Sequence, residues 1–237
     1  MKKIIILGAT SGIGKELAQL YARENHLVAI AGRRTHLLEE LKSNNPNFIV
    51  KPFDITQTDD IGTKLDELSI ELGGVDLLII SSGTGDLNTD LDFAIEKRAI
   101  DTNVVGFTCV CDWAMNYFEQ QGSGHLIGIT SVAGIRGNKH APAYYASKSY
   151  QINYLESMRQ KAAALKKPIY ITDIRPGLVD TDMAKGDGLF WVAPVKKAGK
   201  QIYTAIEKKK RTGYITKRWW LISAILKLMP NAIYDKI

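Results

Sequence analysis

The chain has 237 residues, 45% hydrophobic and 24% charged, the size and composition of one globular domain with a sizeable core. Thirty-one Lys and Arg against 25 Asp and Glu leave a net charge of +6; this favours anionic ligands but falls short of the basic excess of a dedicated nucleic-acid binder. Cys109 and Cys111 match no zinc spacing and predict no disulfide, the apolar run Ile4–Leu7 leads straight into a glycine turn rather than a cleavage site, and no run reaches the ~18 apolar residues of a membrane span, so a cytoplasmic location is expected.

In chain order, short apolar runs alternate with longer stretches of helical spacing. The runs Lys3–Leu7, Leu27–Ala31, Phe48–Val50, Leu77–Ile80, Leu126–Thr130 and Ile169–Ile174 are apolar nearly throughout, as strands covered on both faces must be. Between and after them, helices are predicted over Gly12–Glu24, Thr35–Leu41, Asp59–Leu72, Glu96–Phe118, Ala143–Leu165 and Pro194–Lys208. Such alternation predicts an α/β fold, a doubly wound parallel sheet (Rossmann fold) built by right-handed crossovers, in a single domain over residues 1–237.

After the first strand comes Gly8-Ala9-Thr10-Ser11-Gly12-Ile13-Gly14, opening a helix. Glycines let the backbone turn tightly and approach a pyrophosphate, and the helix N-terminus offers free N–H groups. The spacing differs from the general G-x-G-x-x-G fingerprint. The second strand ends Ala31-Gly32-Arg33-Arg34, with no acid between Glu24 and Glu39 to grip a ribose 2′-hydroxyl. Arg33 and Arg34 suit a 2′-phosphate instead, so the expected cofactor is NADP(H). Asp54, followed by Ile55, is placed either to meet the adenine amino group or to cap the next helix.

Ser131 stands at the end of the fifth predicted strand, where open α/β sheets bind ligands. Tyr144 and Lys148, at i and i+4, share a face of the following helix. An adjacent ammonium is expected to favour the phenolate and bring the tyrosine's pKa towards working pH. Tyr145 points about 100° away around the helix and has no such lysine.

In this order, GATSGIG at 8–14, Asp54, Asn103, Ser131 before YYASK at 144–148 and RPGLVDT at 175–181 resemble the short-chain dehydrogenase/reductase family along the whole chain. The resemblance implies an oxidoreductase that moves hydride between a nicotinamide and a carbonyl or secondary alcohol. Tyr144 would exchange the proton and Ser131 would orient the oxygen. Asn103 would be the fourth catalytic member, at a helix kink where a water links Lys148 to solvent. Lys148 would also bind the nicotinamide ribose, Pro176-Gly177 would shape the loop beside the ring, Val179 would back it and Thr181 would hold its carboxamide. Two departures stand out. Leu7 replaces the family's usual threonine, and Ser81-Ser82-Gly83-Thr84-Gly85 replaces Asn-Asn-Ala-Gly, leaving Ser82 and Gly83 as the expected cofactor contacts there.

Residues 183–194 read as a substrate lid with Leu189, Phe190 and Trp191 inside it, or as a core-packing segment. The basic stretch 208–218 leads into an apolar helix over 219–230, on which Trp219, Ser223 and Lys227 share a face. That tail suits a subunit contact in a homo-oligomer (a dimer or tetramer by the resemblance), a roof over an apolar or lipid-like substrate, or a peripheral membrane interface. Competing readings are an epimerase or dehydratase of related fold, a silent NADP-binding regulator, and a membrane-surface module using the tail. The regulator would not need Ser131, Tyr144 and Lys148 together. No nucleic-acid partner and no metal are expected.

Overall fold

A computed structural model describes residues 1–184 and 190–236. The strands are β1 (Lys3–Leu7), β2 (Leu27–Gly32), β3 (Ile49–Pro52), β4 (Leu77–Ile80), β5 (Gly124–Ile129), β6 (Ile169–Pro176) and β7 (Thr212–Ile215). Among the described residues these form one parallel sheet in the order β3-β2-β1-β4-β5-β6-β7. The helices are α1 (Gly12–Arg23), α2 (Thr35–Asn44), α3 (Thr58–Leu72), α4 (Phe93–Ile100), α5 (Phe107–Gln121), α6 (Pro142–Ala164), α7 (Val195–Glu207), α8 (Arg218–Leu228) and the single turn α9 (Asn231–Tyr234).

Alternation along each strand divides the core into two layers. Ile5 and Leu7 of β1, Ala29 and Ala31 of β2, and Leu78 and Ile80 of β4 face α3, α5 and α6, where Leu65, Phe107 and Leu155 meet them. Ile4, Ile6, Val28, Ile30, Leu77 and Ile79 face α1, α2 and α7, against Leu17, Leu38 and Ile202. A strand buried on both faces has no polar side to display, which explains the unbroken apolar runs.

Three elements depart from the expected pattern. The long fourth helix is divided: α4 and α5 are joined by a π-helical segment, Asp101–Gly106, in which Asn103 is fully buried. The seventh strand, β7, lies within the basic stretch 208–218. Its four residues bury only Gly213 and Ile215, and Lys and Arg flank it, as suits a short strand at a sheet edge. The fifth strand ends at Ile129, and Ser131 instead opens a 3₁₀ turn, Val132–Ile135.

Candidate active site

The sheet reverses its order between β1 and β4, and the crevice outside the carboxyl ends of these strands is where such sheets bind ligands. The loops leaving β1, β2, β3, β4, β5 and β6 carry, in turn, the glycine turn, Arg33 and Arg34, Asp54, Ser82 and Gly83, Ser131, and the segment from Gly177 to Thr181. Topology thus brings to one rim residues that the chain spreads over 170 positions.

The glycine turn is shaped by close approach. Gly8 has φ +81°, and a Cβ there would lie 2.5 Å from the backbone nitrogen of Ser82. Gly14 has the same requirement, since a Cβ would press on the Gly8 carbonyl. The Ser11 side chain makes no capping bond, so the first N–H groups of α1 remain directed at the crevice. A cleft of about 330 Å³ opens here, lined by Thr10, Ser11, Gly12, Lys15 and Thr181 among others. Ile13 turns inward against the core.

The two arginines behave differently. Arg34 reaches back to the turn, donating to Thr10 Oγ1 at 2.6 and 3.1 Å and to Ser11 Oγ at 2.7 Å. Arg33 is exposed and faces the Asp54 carboxylate at 3.6 Å. Asp54 does not cap α3, because Gln57 stands at that helix boundary; its other oxygen accepts from Thr56 N at 2.9 Å. Ile55, beside it, is buried, and its carbonyl lies against Gly106 of the π segment, where a side chain would not fit.

Ser131, Tyr144, Lys148 and Asn103 converge. Ser131 Oγ accepts from Ala133 N at 3.0 Å, donates to Pro176 O at 3.4 Å and lies close enough to the Tyr144 hydroxyl to pull on its pKa. The Lys148 ammonium lies 5.9 Å from the centre of the Tyr144 ring and is itself almost fully buried. It donates to Ile129 O at 3.2 Å and Gln151 Oε1 at 2.9 Å. Burial pushes the Tyr144 phenol up from its ordinary value, against a smaller opposing pull from Ser131, and pushes Lys148 down to about 8. The expected lowering of the tyrosine by its lysine is therefore corrected: in this cluster burial sets the direction of the shift, and the opposing pull comes from Ser131.

Asn103 clamps the loop after β4 with its side chain, accepting from Thr84 N at 3.0 Å and donating to Thr84 O at 2.7 Å and Ser147 Oγ at 3.0 Å. Its backbone carbonyl accepts from Gln151 Nε2 at 2.9 Å. A glutamine side chain thus links Asn103 to Lys148. Gly83 sits over both Asn103 and Lys148, and Gly85 lies flat on the Tyr144 ring, where a Cβ would be 2.4 Å from a ring carbon.

Pro176 ends β6 and Gly177 follows, covered by Trp219, whose indole occupies the space a Cβ would need. Val179 is buried in a lone bridge to Ala193, and Thr181 lies against Gly12. Of the expected lid, Leu189 lies outside the described residues. Phe190 and Trp191 are half-exposed rather than packed in the core and meet Trp219 ring to ring at 5.5 and 6.2 Å. The Tyr145 ring is edge-on to Tyr144 and makes no bond to Ser131 or Lys148 among the described contacts.

Sequence reasoning missed Gln151, Gly85 and Glu96. Gln151 follows Lys148 by three residues and so shares its face, which was a usable signal. Gly85, under the Tyr144 ring, and Glu96, whose carboxylate accepts from Ala143 N at the start of α6 at 2.8 Å, act through tertiary contact and carry no local pattern.

A family model described as short chain dehydrogenase matches residues 2–188. An uncharacterized oxidoreductase of Mycobacterium tuberculosis is 31% identical over 239 residues, spanning 96% of this chain and 92% of its own. One from Myxococcus xanthus is 31% identical over 185 residues, 76% and 72% of the two chains. The chain belongs to the short-chain dehydrogenase/reductase family of oxidoreductases. Two solved structures share its fold: a short-chain type dehydrogenase/reductase from Mycobacterium marinum, with TM-score 0.79, 24% identity and 90% and 92% coverage, and serine dehydrogenase complexed with NADP+, with TM-score 0.81, 22% identity and 89% and 93% coverage.

Proposed function

We propose that this protein is an NADPH-dependent reductase of apolar ketones or aldehydes, or a dehydrogenase of the corresponding secondary alcohols. The observation that carries the reading is the meeting of Ser131, Tyr144 and Lys148 on one side of the crevice, with the glycine turn and two arginines on the other. The residues fit a dinucleotide phosphate: a cradle at Gly8 that any side chain would fill, uncapped N–H groups on α1, and two guanidinium groups beyond them. Gly8, Thr10, Ser11, Gly12, Ile13 and Gly14 would hold the pyrophosphate. Arg33 and Arg34 would hold the 2′-phosphate, Asp54 and Ile55 the adenine, Ser82 and Gly83 the adenine ribose, and Pro176, Gly177, Val179 and Thr181 the nicotinamide. The relatives described as NADP-bound support that choice.

When bound, the cofactor supplies the hydride. Tyr144 gives the substrate oxygen its proton, and a hydroxyl with its pKa raised by burial is a proton donor at neutral pH. Ser131 directs that oxygen by a hydrogen bond, and its own geometry is fixed by Ala133 N. Lys148 would hold the nicotinamide ribose, and its ammonium is near enough to stabilise the phenolate that remains after transfer. Phe190, Trp191 and Trp219 exclude water from an apolar substrate above Gly177. The reaction fits a cytoplasmic enzyme, and the tail contributes to a homo-oligomer contact.

The test is NADPH oxidation with a panel of apolar carbonyl compounds, run beside calorimetric titration of both nucleotides. NADPH is expected to bind at least about tenfold more tightly than NADH, which one charge-assisted contact suffices to give. Equal affinities, unchanged in an Arg33→Ala, Arg34→Ala double variant, would reject the cofactor assignment.

A further inference from the structure

Lys148 is one of very few charged side chains in the core, 4% exposed, and Gln151 beside it is 0% exposed. A buried polar side chain is retained only where its donors and acceptors are matched. Gln151 meets that condition in one way: its carbonyl oxygen accepts from the Lys148 ammonium at 2.9 Å while its amide donates to the Asn103 carbonyl at 2.9 Å. The Asn103 carbonyl that takes the second bond lies within the π segment. The carboxamide is therefore anchored to one helix and presents its oxygen to the lysine from a fixed point. With Ile129 O taking a second N–H at 3.2 Å, one N–H of the ammonium remains to face the crevice.

We propose that Gln151 is the positioning residue for Lys148: a neutral side chain, tethered to the Asn103 carbonyl, that fixes the direction of the ammonium and its readiness to give up a proton. The proposal rests on the reading of Tyr144 and Lys148 as the working pair. Neutrality matters. A carboxylate at that place would keep the lysine charged to higher pH, and an apolar side chain would leave it with a single acceptor. Among the described residues, the charged group acting on Lys148 from another element is Asp173 of β6, which is already paired to Arg175 at 2.7 Å; on its own helix the titratable neighbour is Tyr144. Neither bonds the ammonium directly, so the one side chain among the described residues that does is Gln151, through its carbonyl oxygen. Burial pushes the Lys148 pKa down to about 8 against a smaller pull from Asp173, and the two acceptors bonded to the ammonium are neutral.

The experiment is an NMR titration of protein carrying ¹³C at the lysine ε-carbons, without added nucleotide, in wild type, Gln151→Met and Gln151→Glu, with the Lys148 signal identified by its loss in Lys148→Met. Gln151→Met conserves volume and removes the acceptor, so the Lys148 midpoint should fall. Gln151→Glu places a carboxylate in contact, so the midpoint should rise by about one pH unit or more. The limb of the kcat profile governed by this group should move the same way in each variant, with substrate KM nearly unchanged. A midpoint unmoved in both variants, with only the melting temperature altered, would overturn the proposal and leave Gln151 a packing residue. Failure of the underlying reading is separately visible, because Lys148→Met would then turn over substrate like wild type whatever the titrations show.

Discussion

Tyr144 and Tyr145 are adjacent in sequence and edge-on in space, yet Tyr144 is the one whose phenol feels Ser131 and whose ring rests on Gly85. The chemistry assigned here predicts that Tyr144→Phe lowers kcat by about 10²–10⁴-fold with NADPH affinity changed only a few-fold, whereas Tyr145→Phe stays active; steady-state kinetics and a nucleotide titration check both. Lys148 gives a second prediction, in stability. Its folded pKa of about 8 lies below its unfolded value of about 10.5, so between these values the unfolded chain binds the proton and the native chain does not. Stability due to this group therefore rises with pH through that window. Urea unfolding should show wild type gaining on the order of 2–3 kcal/mol relative to Lys148→Met as pH increases from about 8 to about 10.5. A constant difference between the two proteins would contradict the buried, proton-poor lysine.

The helix that carries this pair, α6, begins at Pro142 after Ala141, which has no side chain able to cap it. The cap comes from elsewhere: Glu96 on α4 accepts from Ala143 N at 2.8 Å, and Asn88 holds the other carboxylate oxygen at 2.5 Å. Glu96→Ala should cost about 1–2 kcal/mol in unfolding free energy and lower kcat by displacing Tyr144, with Glu96→Gln recovering most of the stability, since its amide oxygen can still accept. What was legible in the sequence follows from the reach of the signal. Apolar runs and the i, i+4 spacing of Tyr144 and Lys148 are local, so the strands and the pair could be read directly. The division of α4 from α5 could not, because the contacts made by the π segment, Ile55 against Gly106 and Gln151 on the Asn103 carbonyl, come from elsewhere in the chain. β7 was missed for the same reason: four residues with one glycine and basic flanks carry no strand pattern until β6 pairs with them. The tyrosine's pKa was misjudged because spacing shows the ammonium but not the burial.

Across the molecule, the sheet's carboxyl rim holds the whole candidate site, and α8 closes one end of it. Trp219 and Ser223 turn inward, but Lys227, expected on the same face, is exposed. The apolar side of α8 points out, with Trp220 58% and Leu221 55% exposed. Arg136 fastens the end of this helix, donating to Met229 O at 3.1 Å and Asn231 Oδ1 at 2.9 Å and lying over the Tyr234 ring. A second copy covering that outer face predicts a dimer or larger assembly by light scattering, dissociated by Trp220→Glu, Leu221→Glu. Flotation of an intact oligomer with anionic vesicles would favour a membrane contact instead. Described helices include none long and apolar enough to cross a membrane.

The central claim is that Tyr144 completes a hydride transfer from NADPH to a carbonyl carbon. Its most direct measurement is deuterium transfer from 4-deuterated NADPH to an accepted carbonyl compound, read by mass spectrometry of the alcohol product. The account predicts deuterium on the carbinol carbon at comparable rates with wild type and Tyr145→Phe, and transfer slowed by about 10²–10⁴-fold with Tyr144→Phe. Equal transfer by wild type and Tyr144→Phe would contradict it.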